Sequence, residues 1–264
     1  MSDSATFDAI TQLLDRYVAR VNDAVTKRNG PLVPVDTYHP QVPSVLAGLL
    51  ARQATLTTRL AQSPPLWDGH IAPLILRSMV ECLVTFRWIL LDPVARTGEY
   101  IAYGLGQAKL QLSKMQVEID SAADDESKNR LIAAAKMQEA WILSQRLIQF
   151  VDVNLGSWAG ASIRKMCEDI GHKDLYDWWF VPHSACAHNM WQHVSIWNTK
   201  VCKNPMHQEH RLSYTAMPQL TLDYVHQSVK FFSEMIEDFD KYYGIYISDV
   251  TVLEDFEADL NKLE

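Results

Sequence analysis

The sequence predicts an all-α protein, and three observations carry that expectation. Apolar residues recur at steps of three and four along most of the 264 residues, the spacing of one helix face. Proline-rich and glycine-rich breaks, "RNGPLVPVDTYHPQVP" and "NLGSWAGAS", separate these periodic stretches. Only "YYGIYISDVTVL" has strand character, and no second clear strand is present to pair with it. The expected architecture is a multi-helix bundle with a central buried helix at about residues 70–91 and an N-terminal helical pair.

Ser4 can cap a first helix, in which Phe7, Ile10, Leu14, Tyr17, Val21 and Val25 form the apolar stripe. The break with Pro31, Pro34, Pro40 and Pro43 follows as a long connector. A second helix spans about Ser44 to Gln62, with Leu46, Leu49, Leu50, Gln53, Leu56 and Leu60 on one face. After "SPPLWDG" comes a helix from about His70 to Leu91, apolar nearly all round and therefore central. "DPVARTGEY" restarts the chain into a long helix ending near Ser121. The acidic residues of "ADDESKNR" suit the start of the next helix, expected to run to about Val153. A short helix at about Ser162 to Ile170, the aromatic stretch "KDLYDWWFVPHSACAHNMWQHVSIW", and a polar loop around "KNPMHQEHRLS" precede a helix from about Gln219 to Tyr243. The acidic tail is expected to form a last short helix. This order suggests an N-terminal helical segment over 1–63, a main bundle over 64–246 and a C-terminal tail over 247–264.

Composition excludes several classes. Hydrophobic residues make up 48%, enough for a core and too many for a disordered chain. The formal net charge of −8 and the scatter of Lys and Arg disfavour duplex DNA as a partner, while a local pocket for one specific RNA stays open. The longest apolar region, "IAPLILRSMVECLVTFRWILL", is interrupted by Arg77, Glu81 and Arg87. Each would cost roughly 2.5–3.5 kcal/mol at a bilayer centre, so the region reads as a buried helix and no membrane role is expected. The N-terminus shows no signal-peptide pattern. Cys82, Cys167, Cys186 and Cys202 form no CxxC pair and read as thiols of a reducing cytoplasm, neither a disulfide framework nor a cysteine-rich zinc site.

"HSACAHNMWQHV" holds His183, His188 and His193 at steps of five. On one regular helix a step of five turns about 140°, so the three rings point in different directions and cannot meet on one ion. His183 falls on the apolar face with Trp179 and Met190 and reads as a core histidine. His193 belongs to no constellation. Ser184 and His188 lie one turn apart, either as a structural polar pair or as a working histidine whose tautomer Ser184 sets. If the helix instead begins at Pro182, the backbone N–H groups of His183 and Ser184 face outward as an anion site.

A second set lies in the central helix, where Arg77, Glu81, Thr85 and Trp88 share a stripe. Arg77 and Glu81 can pair within the helix and are expected to be largely buried. They serve either as a strut between helices or as a guanidinium at the floor of a site, oriented by Glu81. His207 and His210 of "HQEH" read as surface-loop residues because no partner cysteine or second histidine pair accompanies them. His226 reads as ordinary packing on an amphipathic helix. "YIAYGLGQAKL" follows no strand and is no dinucleotide loop. No nucleophile elbow, Walker motif, HExxH or EF-hand spacing occurs, and no cofactor is expected.

Two segments resemble a family. "LILRSMVECLVTFRWILLDPVARTGEYIAYG", Leu74 to Gly104, is similar to the Arg-x-x-x-Glu helix, DP turn and Tyr-bearing helix of the DUF5677 family. "YDWWFVPHSACAH", Tyr176 to His188, resembles that family's aromatic helix with Ser-x-x-x-His. The resemblance covers roughly Leu66 to His193 and departs where "NMWQHVSIW" replaces a compact turn. It implies an all-helical bacterial cytoplasmic protein whose polar set is Arg77, Glu81, Ser184 and His188, and it implies no established activity.

A looser analogy runs to the HEPN ribonucleases of toxin and phage-defence systems. Their Arg-x(4–6)-His motif is absent; the nearest arginine before His188 is Arg164, and His183 stands where the arginine would be. The first functional expectation is therefore a binding or interaction module with a homo-oligomeric or other protein partner, associated with defence. The alternative is a metal-independent ribonuclease with His188 as general acid or base, Arg77 stabilising the developing charge, and Ser184 orienting His188.

Overall fold

Local capping chemistry sets where four of the described helices begin. A computed structural model describes residues 3–28, 37–145, 160–215, 219–247 and 251–263. Among these, ten α-helices form: α1 (Asp3–Arg28), α2 (Gln41–Ala61), α3 (Ala72–Leu90), α4 (Pro93–Ser121), α5 (Asp125–Ser144), α6 (Ile163–Asp169), α7 (Val181–Ala187), α8 (Trp191–Trp197), α9 (Asp223–Tyr243) and α10 (Val252–Leu260). Asp92 accepts from the Ala95 N–H ahead of Pro93, Asp124 caps α5 through Ser127 N–H, and Ser162 caps α6 through Lys165 N–H. Thr251 and Glu254 make a reciprocal capping box at α10. Ser4 falls inside α1 rather than at its cap. The expected end of the fifth helix near Val153 lies outside the described residues.

The central helix is where the pattern places it. α3 buries twelve side chains, including Leu76, Met79, Leu83 and Phe86, and packs on α2, α9, α6 and α7. Tyr17, Leu46, Leu50, Phe232, Phe239 and Phe256 complete the interior around it. Side chains from all three sequence segments, 1–63, 64–246 and 247–264, enter one buried cluster. The stripe of α1 starts one step later than expected: Phe7 is exposed, Ile10 is half-buried against the core, and full burial begins at Leu13.

Polar links cross the bundle at defined points. Ser228 Oγ donates to the Val225 carbonyl (2.7 Å), so it must accept from Thr57 Oγ1 (2.8 Å), which in turn accepts from Tyr17 O–H (2.7 Å). Every hydroxyl in this buried chain is satisfied, and burial pushes the Tyr17 phenol far above its usual range. Arg87 on α3 reaches Glu234 (2.9 Å) and Asp238 (2.6 Å) on α9. Arg28 pairs with Asp240, and Arg16 and Arg20 both pair with Asp259 on α10.

Two local features depart from the sequence expectation. A two-stranded antiparallel hairpin, β1 (Thr199–Val201) with β2 (Arg211–Ser213), stands where a polar loop is expected, in register Thr199↔Ser213. Three-residue strands are too short to show alternation. The hairpin is fastened from the side, with Arg211 donating to Thr199 Oγ1 (2.6 Å) and to the Ser195 carbonyl (2.7 Å). The second departure is a π-helical segment, Leu175–Phe180, that runs without a break into α7.

Candidate functional site

Pro182 explains the π-helical segment. Proline has no N–H, and its ring collides with the carbonyl four residues back. The wider turn relieves this, and the Val181 N–H bonds to the Tyr176 carbonyl, five residues back. Pro182 therefore lies inside a helical run. His183 and Ser184 are interior residues of that run and not the start of a helix, so the open N–H groups of an anion site do not arise there.

α7 ends at Ala187 because Asn189 takes a left-handed backbone, φ 51°. The Met190 N–H returns to the Ala185 carbonyl (2.9 Å) and the Asn189 N–H to Cys186 (3.3 Å), the double closure of a Schellman end. His188 is the C-cap residue and is exposed. His183, His188 and His193 thus occupy three different settings: the interior of α7, its end, and α8.

Ser184 and His188 do not form the expected side-chain pair. Ser184 Oγ donates to the Phe180 carbonyl at 2.6 Å, within its own helix. His183 is buried, stacks on Trp179 (ring centroids 6.1 Å apart) and leaves Nδ1 without a hydrogen bond. Burial lowers its pKa. The Trp179 backbone pulls the other way without completing a bond.

Arg77 and Glu81 do pair, at 3.2 Å. They are less buried than their apolar neighbours suggest, with side chains 22% and 39% exposed. The Arg77 guanidinium lies over the Phe180 ring, 4.9 Å from its centre. It joins α3 to the segment that precedes α7, which is the work of a strut.

Two contacts set the register of α3 against α7. Arg77 meets Phe180, and the Cys186 thiol donates to the His70 carbonyl (3.1 Å), so the two runs are antiparallel. His188 is eight residues beyond Phe180, about 12 Å along a helix axis. Glu81 draws the Arg77 guanidinium toward the C-terminal end of α3, away from His188. The structure gathers Arg77, Glu81 and Phe180 at one end of α7 and leaves His188 at the other.

A group the sequence did not reveal gathers at the start of α3. Asp68 Oδ1 accepts from the His70 N–H (2.7 Å) and the Ile71 N–H (2.9 Å) and turns the chain into the helix. The His70 ring meets His193 edge-on (5.3 Å) and Trp197 (5.5 Å). Gly69 makes this possible, because a Cβ there would stand 2.3 Å from the Trp197 ring. Burial, and then His70, lower the His193 pKa, which favours the uncharged ring in this edge-on cluster. The partners are separated by more than a hundred residues, and a glycine beside a histidine is the sole local sign of them.

Metal-ligating side chains also converge. The hairpin brings Cys202 to His207 and His210, supplying the cysteine that "HQEH" lacks in sequence. All four cysteines are free thiols. A surface groove of about 950 Å³ lies elsewhere, lined by residues that include Tyr38, Pro40, Val94 and Glu99. Among the described residues no helix is long and apolar enough to cross a membrane.

No curated protein and no solved structure matches the chain. A family model described as a family of unknown function, DUF5677, matches residues 44–200, from α2 into β1, more than half of the chain. The match contains Arg77, Glu81, Ser184 and His188, and with it the helices α3 and α7 that carry them: the chain belongs to the DUF5677 family.

Proposed function

We propose that this protein is an interaction module that docks through the aromatic face formed by the end of the π-helical segment, α7 and α8, and that the surface it meets is a second copy of itself. The observation that carries the reading is α8: Trp191, Val194, Ile196 and Trp197 are four of its seven residues, and none of the seven is buried. Trp178 (74% exposed), Trp191 (63%) and Ile196 (70%) show most of their surface to solvent. Large exposed apolar patches on soluble chains mark interaction surfaces, and Trp and Met are enriched there.

Charge favours self-pairing over an oppositely charged partner. From Trp178 to Thr199 the chain has no Asp, Glu, Lys or Arg. Two copies at −8 each repel at long range, and an uncharged patch is where they can approach. A two-fold contact sets the same patch against itself and needs roughly 800 Å² per partner. Trp178, Val181, Met190, Trp191 and Ile196 are its exposed apolar side chains, with Trp191 and Ile196 about 140° apart around α8. The bacterial cytoplasm and a part in phage defence accompany this reading through family resemblance and HEPN analogy, not through geometry.

Light scattering over a range of protein concentrations tests the reading. Wild type is expected to exceed the 30.1 kDa monomer mass as concentration rises. Trp191→Glu and Ile196→Glu, both at exposed positions, should remain monomeric with unchanged helical circular dichroism. A wild type that stays monomeric throughout the range sinks the proposal. RNA cleavage by His188 has weaker support, since Ser184 bonds elsewhere and Arg77 is turned away. Equal cleavage of transfer RNA by wild type and His188→Ala, or none by either, removes it.

A further inference from the structure

We propose that Cys202, His207 and His210, at the tip of the β1–β2 hairpin, bind a divalent transition-metal ion of the zinc type. One ligand atom from each lies within 4.8 Å of the other two. The group is outside residues 44–200, so the family match does not speak for it. Its ligands are none of the residues of the α8 face, and the two proposals are tested independently.

The distances suit the ion. Tetrahedral zinc holds sulfur at about 2.3 Å and imidazole nitrogen at about 2.0–2.1 Å, which sets S and N about 3.6 Å apart. Cys202 Sγ and His207 Nδ1 are 3.7 Å apart. The His207 and His210 rings are 5.5 Å apart at 71°, presenting two nitrogens from different directions. One thiolate and two imidazoles form a mixed set suited to zinc, and three protein ligands leave a fourth position for water or a small anion.

The backbone fixes the arrangement in advance. The Cys202 N–H donates to the His210 carbonyl (2.9 Å), closing the loop directly at two of the ligands. Asn204 Oδ1 accepts from the Met206 N–H (3.0 Å) and tightens the turn. Glu209 has φ 60°, a left-handed conformation uncommon outside glycine, immediately before His210. A side chain that departs from its preferred backbone there turns His210 back toward Cys202.

Asn204 also backs His207. Its Nδ2 lies 3.3 Å from His207 Nε2, so Nε2 accepts and Nδ1 carries the ring proton that faces the Cys202 sulfur. The metal replaces that proton. The Cys202 thiol gives up its own proton to solvent, Nδ1 becomes a ligand, and the ring proton moves to Nε2. The Asn204 amide then turns its oxygen to Nε2–H, the outer hydrogen bond that metal-bound histidines carry, and leaves the exposed Met206 N–H to solvent.

Cobalt(II) titration of the metal-stripped full chain tests the site. One equivalent of cobalt should give a cysteinate-to-metal absorption band in the near ultraviolet, and zinc should bleach it. Cys202→Ser should abolish the band. His210→Ala should weaken binding by at least about tenfold, and Asn204→Ala by about tenfold. Neither strand contributes a buried side chain, so the variants should keep the wild-type melting profile. Absence of a cysteinate band overturns the proposal, and so does a band that persists in Cys202→Ser, which would assign the metal to another cysteine.

Discussion

At the scale of single residues, the side chains that looked most chemical are the most structural. Ser184 completes a hydrogen bond inside its own helix, and Arg77 spans α3 and Phe180. Position in the helical pattern anticipated the Arg77–Glu81 pair, because a separation of four is a local property. It could not anticipate Ser184, whose hydroxyl has a backbone carbonyl one turn back as well as His188 one turn ahead. His183 behaves as the apolar face predicts, and this has a consequence for stability. Burial holds its folded pKa below the ordinary value. The unfolded chain titrates this ring near 6.5. As pH falls through that value the unfolded state takes up the proton first, so stability present above it is lost on acidification. Thermal melting should fall as pH drops below about 6.5. His183→Gln should reduce that slope, leaving the contribution of His193, which has the same sign. An unchanged slope in the variant would contradict the buried neutral ring.

At the scale of elements, α1 to α4, α6, α9 and α10 were legible because each carries a long apolar stripe, a cap or both. The stretch from Leu175 to Ser213 was not. A regular helix through the histidines, either continuous with Trp179 or begun at Pro182, and then a polar loop were expected; the chain instead makes a π-helical segment, α7, a left-handed turn, α8 and a hairpin. Pro182 widens the first, Asn189 stops the second, and neither effect shows in a wheel drawn on regular geometry. The position of α8 depends on Gly69, whose missing Cβ makes room for Trp197 against His70. Gly69→Ala should displace Trp197 and cost about 1–3 kcal/mol, the usual range for an added methyl group in a packed site. Chemical denaturation measures it, together with the fluorescence of the aromatic cluster. A variant with wild-type stability and emission would show that α8 is held by something other than this contact.

At the scale of the molecule, α3 within a ring of helices organises the core, while two parts stand apart from it. α5 buries only Ala135, with Met137 and Trp141 exposed, and α8 buries nothing. The bundle was readable from sequence because burial leaves a periodic mark. The aromatic content around Trp178, Trp179, Trp191 and Trp197 suggested an interaction surface from sequence, but not which of these rings reach solvent, because exposed and buried apolar residues look alike until the neighbours are placed. That an aromatic face whose own segment carries no Asp, Glu, Lys or Arg is kept for self-association is the central claim. Hydrogen exchange measured at low and high protein concentration tests it most directly. The account predicts added protection at high concentration over residues 178–199, absent in Ile196→Glu, with the interior of α3 unchanged. Protection that is independent of concentration, or that appears on α5 and not on α8, would contradict it.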